Sequence, residues 1–145
     1  VGKKTYASYV VAGILEGAGV AESLPLWTEA NMETFRSVVR QMEGKISYAT
    51  KLDELAEIDE LFHATLFMAC DNTRLVEMAR TSCATISKYL YYQHWITMFT
   101  PREYADRHHA VAEAVYSRDV KHVETALRDH YKETGLRMAQ FGKEA

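Results

Sequence analysis

The chain is 145 residues long, with 48% hydrophobic and 26% charged residues and a formal net charge of −3. These are globular values, enough for one domain with a core of its own. An acidic balance without clustered Lys and Arg excludes a nucleic-acid surface within this chain, and no apolar run approaches the roughly 20 residues of a membrane span.

With 2 prolines and 7 glycines, most of the chain is free to be helical. Residues 5–22 read as a first helix with Tyr6, Val10, Ile14 and Leu15 as its apolar stripe. Its most apolar part, Tyr9 to Leu15, stops at Glu16 and lacks the layout of a secretory signal. Ser23, Leu24 and Pro25 end the helix. The chain opens on Val1, which leaves open a fragment, a processed product or part of a longer protein with a further domain. Thr28 reads as the N-cap of a helix to about Lys45, with Met32, Phe35, Val38, Val39 and Met42 on one face.

A third helix is expected over about Lys51 to Ala69, with Leu55, Ile58, Phe62, Leu66 and Ala69 inward and Asp59 and His63 along one flank. Cys70 to Thr73 is a break with capping chemistry, and Leu75 to about Met98 is a long helical stretch with a bend or break near Gln93. Thr100-Pro101-Arg102-Glu103 is the clearest helix start: Thr caps, Pro fits the first position, and Glu103 reaches back as a capping box. That helix runs to about Tyr116, and after a turn at Ser117 to Asp119 a last helix runs from Val120 to about Met138. Strand alternation and repeats do not appear. The expected architecture is all-α, an antiparallel bundle of six helices, or seven if the long stretch breaks.

Four residues on these helices suggest a site. Asp59 and His63 lie one turn apart, so their side chains share a face. His108 falls on the face of Tyr104, Val111 and Val115, and His130 on that of Val123, Leu127 and Thr134. One carboxylate and three imidazoles aimed at a common core suit a divalent ion such as Zn²⁺ or Ni²⁺. Taken singly, each histidine reads as well as a hydrogen-bonded core residue, and Asp59 with His63 as a helix-stabilising pair. His109 points roughly 100° away from His108, His122 opens a helix beside Lys121 in solvent, and His94 sits among aromatic residues. Tyr89, Tyr92 and Trp95 either pack the core or line a ligand cavity. The cysteines, Cys70 and Cys83, lack framework spacing and suit free thiols in a reducing cytoplasm. Nucleophile elbows, phosphate loops and H-E-x-x-H are absent from the sequence.

Three blocks carry a family likeness: D59-E-L-F-H63-A-T-L-F-M-A-C-D-N72-T-R-L75, H108-H-A-V111-A-E-A114-V115-Y-S-R-D119 and A126-L-R-D-H130. Over nearly the whole chain they resemble the FCD domain, the C-terminal effector-binding domain of the FadR branch of GntR-type transcriptional regulators. The resemblance implies residues 1–145 as an effector-binding and dimerisation domain, a bundle around a metal held by Asp59, His63, His108 and His130. It implies a cavity for a small carboxylate, and Tyr89 and Tyr92 of the aromatic stripe are the candidate effector contacts. It also implies a cytoplasmic homodimer that meets DNA only through an N-terminal winged helix-turn-helix domain outside this sequence. Two positions depart from the family pattern: Ala12 stands where many relatives carry Arg, and Arg107 where an acidic residue often precedes the histidine. The expectation is a ligand sensor and not an enzyme. The rival readings are a metal-dependent enzyme with an open-coordination ion and a purely structural metal in a dimerisation module.

Overall fold

The computed structural model describes residues 2–86 and 97–144. Among these, six α-helices and two short 3₁₀ turns make up the fold, without strands. They are α1 (Gly2–Ser23), α2 (Glu29–Ile46), α3 (Ala56–Thr65), α4 (Thr73–Ile86), α5 (Pro101–Ser117) and α6 (Val120–Glu144). The all-α bundle expected from periodicity is therefore what forms. The expected bend near Gln93, together with Tyr89, Tyr92, His94 and Trp95, lies outside the described residues.

The helix starts follow the local chemistry. Thr28 caps α2 by accepting from the Asn31 amide, and Asn31 accepts from the Thr28 amide in return. Thr100 and Glu103 make the same reciprocal pair at α5, with Pro101 in the first turn. Asn72 Oδ1 accepts from the Leu75 amide at 3.1 Å and starts α4. Arg118 takes a left-handed conformation, φ 58°, closing α5 and turning the chain into α6. Each cap satisfies amides or carbonyls that a helix end leaves unpaired. The third helix is shorter than its periodicity suggests. It is entered through a 3₁₀ turn, Leu52–Leu55, and left through tightened turns in which Phe67 and Met68 donate to Ala64 and Thr65.

The core runs through all of these elements. α2 buries the five expected residues Met32, Phe35, Val38, Val39 and Met42. Phe35 packs on Trp27 and Phe62, each at 5.5 Å between ring centroids. α5 buries Tyr104, His108, Val111 and Val115, and α6 buries Val123, Leu127 and Thr134.

The first helix corrects the sequence reading. Its buried side is not Tyr6, Val10, Ile14 and Leu15 but Thr5, Tyr9, Ala12, Gly13, Glu16, Gly17, Gly19, Val20 and Ser23. Ile14 is 40% exposed and Val11 49%. The reason is steric. α1 lies so close along α6 that only small residues fit between them: a Cβ on Gly13 would sit 3.1 Å from Tyr131 Cβ, and one on Gly135 would sit 2.7 Å from Tyr9 Cβ. By length and composition Lys3–Leu26 is also apolar enough to cross a membrane, contrary to the sequence reading, yet half of that stretch is buried within the fold. Its partners there are α6 and α4.

This packing distinguishes two glycine-to-alanine substitutions. Gly44 in α2 has open space around it, so Gly44→Ala gains only helix propensity and should stabilise by about 0.5–1 kcal/mol. Gly135→Ala meets Tyr9 and should destabilise by about 1–3 kcal/mol despite the same propensity gain. Denaturant unfolding of the two variants checks this. Equal effects would mean that the helices have room to spare.

Candidate metal centre

The i, i+4 spacing on α3 puts Asp59 and His63 on one face, with Asp59 Oδ1 3.6 Å from His63 Nε2. The inward stripe of α5 brings His108 to the same point: its Nε2 lies 2.8 Å from Asp59 Oδ1. α6 brings His130. Metal-ligating atoms of His63, His108 and His130 all lie within 4.8 Å of one another. The His108 and His130 rings meet edge-on at 4.8 Å between centroids. The structure therefore gathers the four residues singled out in the sequence, from three helices that are distant along the chain. Tyr89 and Tyr92, the expected effector contacts, lie outside the described residues.

Hydrogen bonds to the outer ring nitrogens decide what the inner ones present. His108 Nδ1 donates to the Tyr104 carbonyl at 2.8 Å. His63 Nδ1 donates to Glu16 Oε1 at 2.6 Å. A neutral His108 so bonded turns a bare Nε2 lone pair toward the Asp59 carboxylate, two acceptors facing each other at contact distance. His130 Nδ1 is buried without a hydrogen-bond partner. Facing acceptors and an orphaned imidazole nitrogen are what a bound cation relieves, so the residues present fit a divalent ion.

The electrostatics agree. Burial holds the His108 imidazole below its ordinary value, against the pull of Asp59. Burial, reinforced by Arg107, His108 and His63, holds His130 well below its ordinary value. Both rings are thus neutral, the state a metal ligand needs. His63 differs: burial opposes its charge, but the Glu16 and Asp59 carboxylates outweigh it and raise the ring from 6.5 to about 10. Burial, then Asp59, pushes the Tyr104 phenol far up, so its hydroxyl stays a donor to Asp59 Oδ1 at 3.1 Å.

Several residues at the site were not singled out in the sequence. Glu16 on α1 is 1% exposed and also accepts from the Tyr131 hydroxyl at 2.5 Å. Cys83 Sγ lies 3.3 Å from that hydroxyl. A signal for Glu16 existed: it belongs to the small-residue stripe of α1, at helical spacing from Tyr9, Ala12 and Val20. Arg107 turns away from the cluster toward α6, where its Nη2 donates to the His130 carbonyl at 2.6 Å and to Thr134 Oγ1 at 2.5 Å. It also stacks on Phe99, 4.1 Å from the ring centroid. His109 lies off the cluster, half-exposed and 3.2 Å from Glu43, and His122 is exposed. Cys70 and Cys83 are free thiols.

The family model for the FCD domain matches residues 7–133. The chain belongs to the FCD domain family. Membership places it among ligand-sensing regulatory domains rather than enzymes. Among solved structures, a transcriptional regulator (GntR family member) from Pseudomonas syringae pv. tomato str. DC3000 is similar to this FCD domain, with a TM-score of 0.79 and 17% sequence identity. The likeness covers 100% of this chain and 60% of that one. At this identity it speaks for the fold. Comparison with curated proteins gives no match.

The raised His63 value has a consequence for the metal-stripped protein. A group whose pKa is higher folded than unfolded stabilises the fold fully below the unfolded value and ceases to do so above the folded one. The His63 contribution should therefore be complete below pH 6.5 and fade as the pH rises through about 10. Urea unfolding of stripped protein at several pH values, compared with His63→Gln, reads this difference. Parallel profiles for the two proteins would contradict the charged His63 between Glu16 and Asp59.

Proposed function

We propose that this FCD domain is the effector-sensing part of a GntR-type transcriptional regulator, and that it binds a small carboxylate at a divalent metal, zinc or nickel. Asp59, His63, His108 and His130 would hold the ion. The observation that carries the reading is the meeting of three imidazoles and one carboxylate at one point, with the Nδ1 atoms of His63 and His108 tied back to Glu16 and the Tyr104 carbonyl and His130 Nδ1 left without a hydrogen-bond partner. When bound, such an ion supplies a fixed positive charge and a coordination position for a carboxylate oxygen.

The chain's own residues do the rest. Glu16 and the Tyr104 carbonyl orient two imidazoles, and the Tyr104 hydroxyl holds Asp59. Phe62 packs against both His63 and His108 and keeps that side apolar. No bond need be broken. Ligand binding would favour one arrangement of the regulator over another, by its difference in affinity for the two.

The chain spans 60% of the length of the similar regulator. DNA contact is accordingly assigned to an N-terminal winged helix-turn-helix domain outside this sequence, in a cytoplasmic homodimer. This domain alone, at net charge −3, should not bind duplex DNA at physiological salt. Tight, salt-sensitive binding in a gel-shift assay would overturn that division of labour.

Metal should be visible in stability. Chelation should lower the melting temperature by about 5–10 °C if the ion was present at a hundred times its dissociation constant. Zn²⁺ or Ni²⁺ should restore it, and His130→Ala should lose the response. Calorimetry should find small mono- or dicarboxylates binding the metal-loaded protein only. His108→Ala should lose metal and carboxylate together, while His109→Ala, on the Glu43 side of α5, should keep both. Equal carboxylate affinity with and without metal would refute the mechanism.

A further inference from the structure

α1 supplies none of the four residues assigned to the metal, yet it sends a carboxylate to them. Glu16 is 1% exposed, and burying a charge there is costly unless both oxygens are engaged. They are. Oε1 accepts from His63 Nδ1 at 2.6 Å, and Oε2 accepts from the Tyr131 hydroxyl at 2.5 Å, with Cys83 Sγ 3.8 Å away. Tyr131 adjoins His130 on α6, and the two rings are 5.5 Å apart. Glu16 therefore bridges a proposed ligand on α3 and the neighbour of another on α6. It does so from a helix that the small residues Gly13 and Gly17 let lie close to α6.

Resting on the metal reading above, we infer that Glu16 is a positioning residue for His63. Its carboxylate accepts a hydrogen bond from Nδ1–H, selects the tautomer that leaves Nε2 bare toward Asp59, His108 and His130, and holds the plane of the ring. An imidazole free to choose either tautomer would offer the ion a lone pair only part of the time. The Tyr131 hydroxyl fixes the carboxylate in turn, so the order of the site is set from outside the ligand set. A second consequence concerns α1 itself: Glu16 ties this helix to the metal, so loading the site should restrain α1 although α1 holds no ligand.

The test uses Zn²⁺ competition against a chromophoric chelator, the absorption spectrum of the Co²⁺-loaded protein, and nitrogen-15 NMR of the histidine rings in the Zn²⁺-loaded protein. Glu16→Ala should weaken Zn²⁺ binding by about 10–100-fold, alter the Co²⁺ spectrum and remove the single Nδ1–H state of His63. Glu16→Gln, whose amide oxygen still accepts from Nδ1, should recover much of the affinity and the tautomer. Tyr131→Phe should give a smaller loss, about three- to tenfold. Hydrogen exchange in α1 should slow on Zn²⁺ addition in the parent protein and not in Glu16→Ala.

A folded Glu16→Ala with parental affinity and an unchanged Co²⁺ spectrum would overturn the inference. Should Glu16→Ala fail to fold, Tyr131→Phe decides: parental Zn²⁺ affinity with an unshifted Co²⁺ spectrum overturns the inference. The metal reading fails separately, when the parent protein itself binds no Zn²⁺ or when His130→Ala binds it equally well.

Discussion

The structure depends on gathering five ionisable side chains at one point inside a helical bundle: Glu16, Asp59 and His108 buried, His63 and His130 partly so. Such groups are tolerated only when each finds a partner, because an unpaired charge or lone pair in a low-dielectric interior costs more than a hydrophobic contact of similar size returns. The partners come from α1, α3, α5 and α6, so the cluster dictates which helices meet and where. Asp59 is the hub, facing His63, His108 and the Tyr104 hydroxyl together. The outer nitrogens of His63 and His108 are tied to Glu16 and to the Tyr104 carbonyl, and their inner nitrogens converge on Asp59. With His130 Nδ1 left without a hydrogen-bond partner beside them, that convergence fits a site for a cation.

Backbone geometry around the cluster serves the same end. The left-handed Arg118 closes α5 and sends the chain back as α6, so that His108 and His130 face each other across the helix pair. Arg107 adds a tether at this level, bonding to the His130 carbonyl and Thr134. Phe99 lies between Arg107 and Arg137, with the two guanidinium carbons 4.1 and 4.4 Å from its ring centroid. Arg137 also binds Glu103, in the first turn of α5, and the Met98 carbonyl ahead of it. Arg107 thus acts across the α5–α6 seam, while Asp59 is the carboxylate that meets His108.

α1 shows how close packing and chemistry are joined. A glutamate side chain is short, and Glu16 reaches His63 because α1 packs tightly against its neighbours. Glycines on both α1 and α6 permit that approach, and Val11 and Ile14 are turned outward as a result. The usual rule that large apolar residues point inward is overridden here by the space available between two backbones.

Helix chemistry is local, and for that reason the sequence alone determined much of this protein. The caps at Thr28 and Thr100, the break before Thr73, the inward stripes of α2, α5 and α6, and the shared face of Asp59 and His63 all follow from residues within a few positions of one another. So does the prospect of a site, since a histidine on a strong apolar stripe has only one direction to point. The inward face of α1 was not legible in this way. Its apolar residues surround the helix, with Tyr6, Val10, Val11, Ile14 and Leu15 offering no single stripe, and periodicity then fixes relative angles without choosing a side. Only the tertiary structure decided that the small side turns inward and carries Glu16 to His63, 47 positions away along the chain. That choice rests on the distance between two helix axes, a quantity that local sequence does not encode.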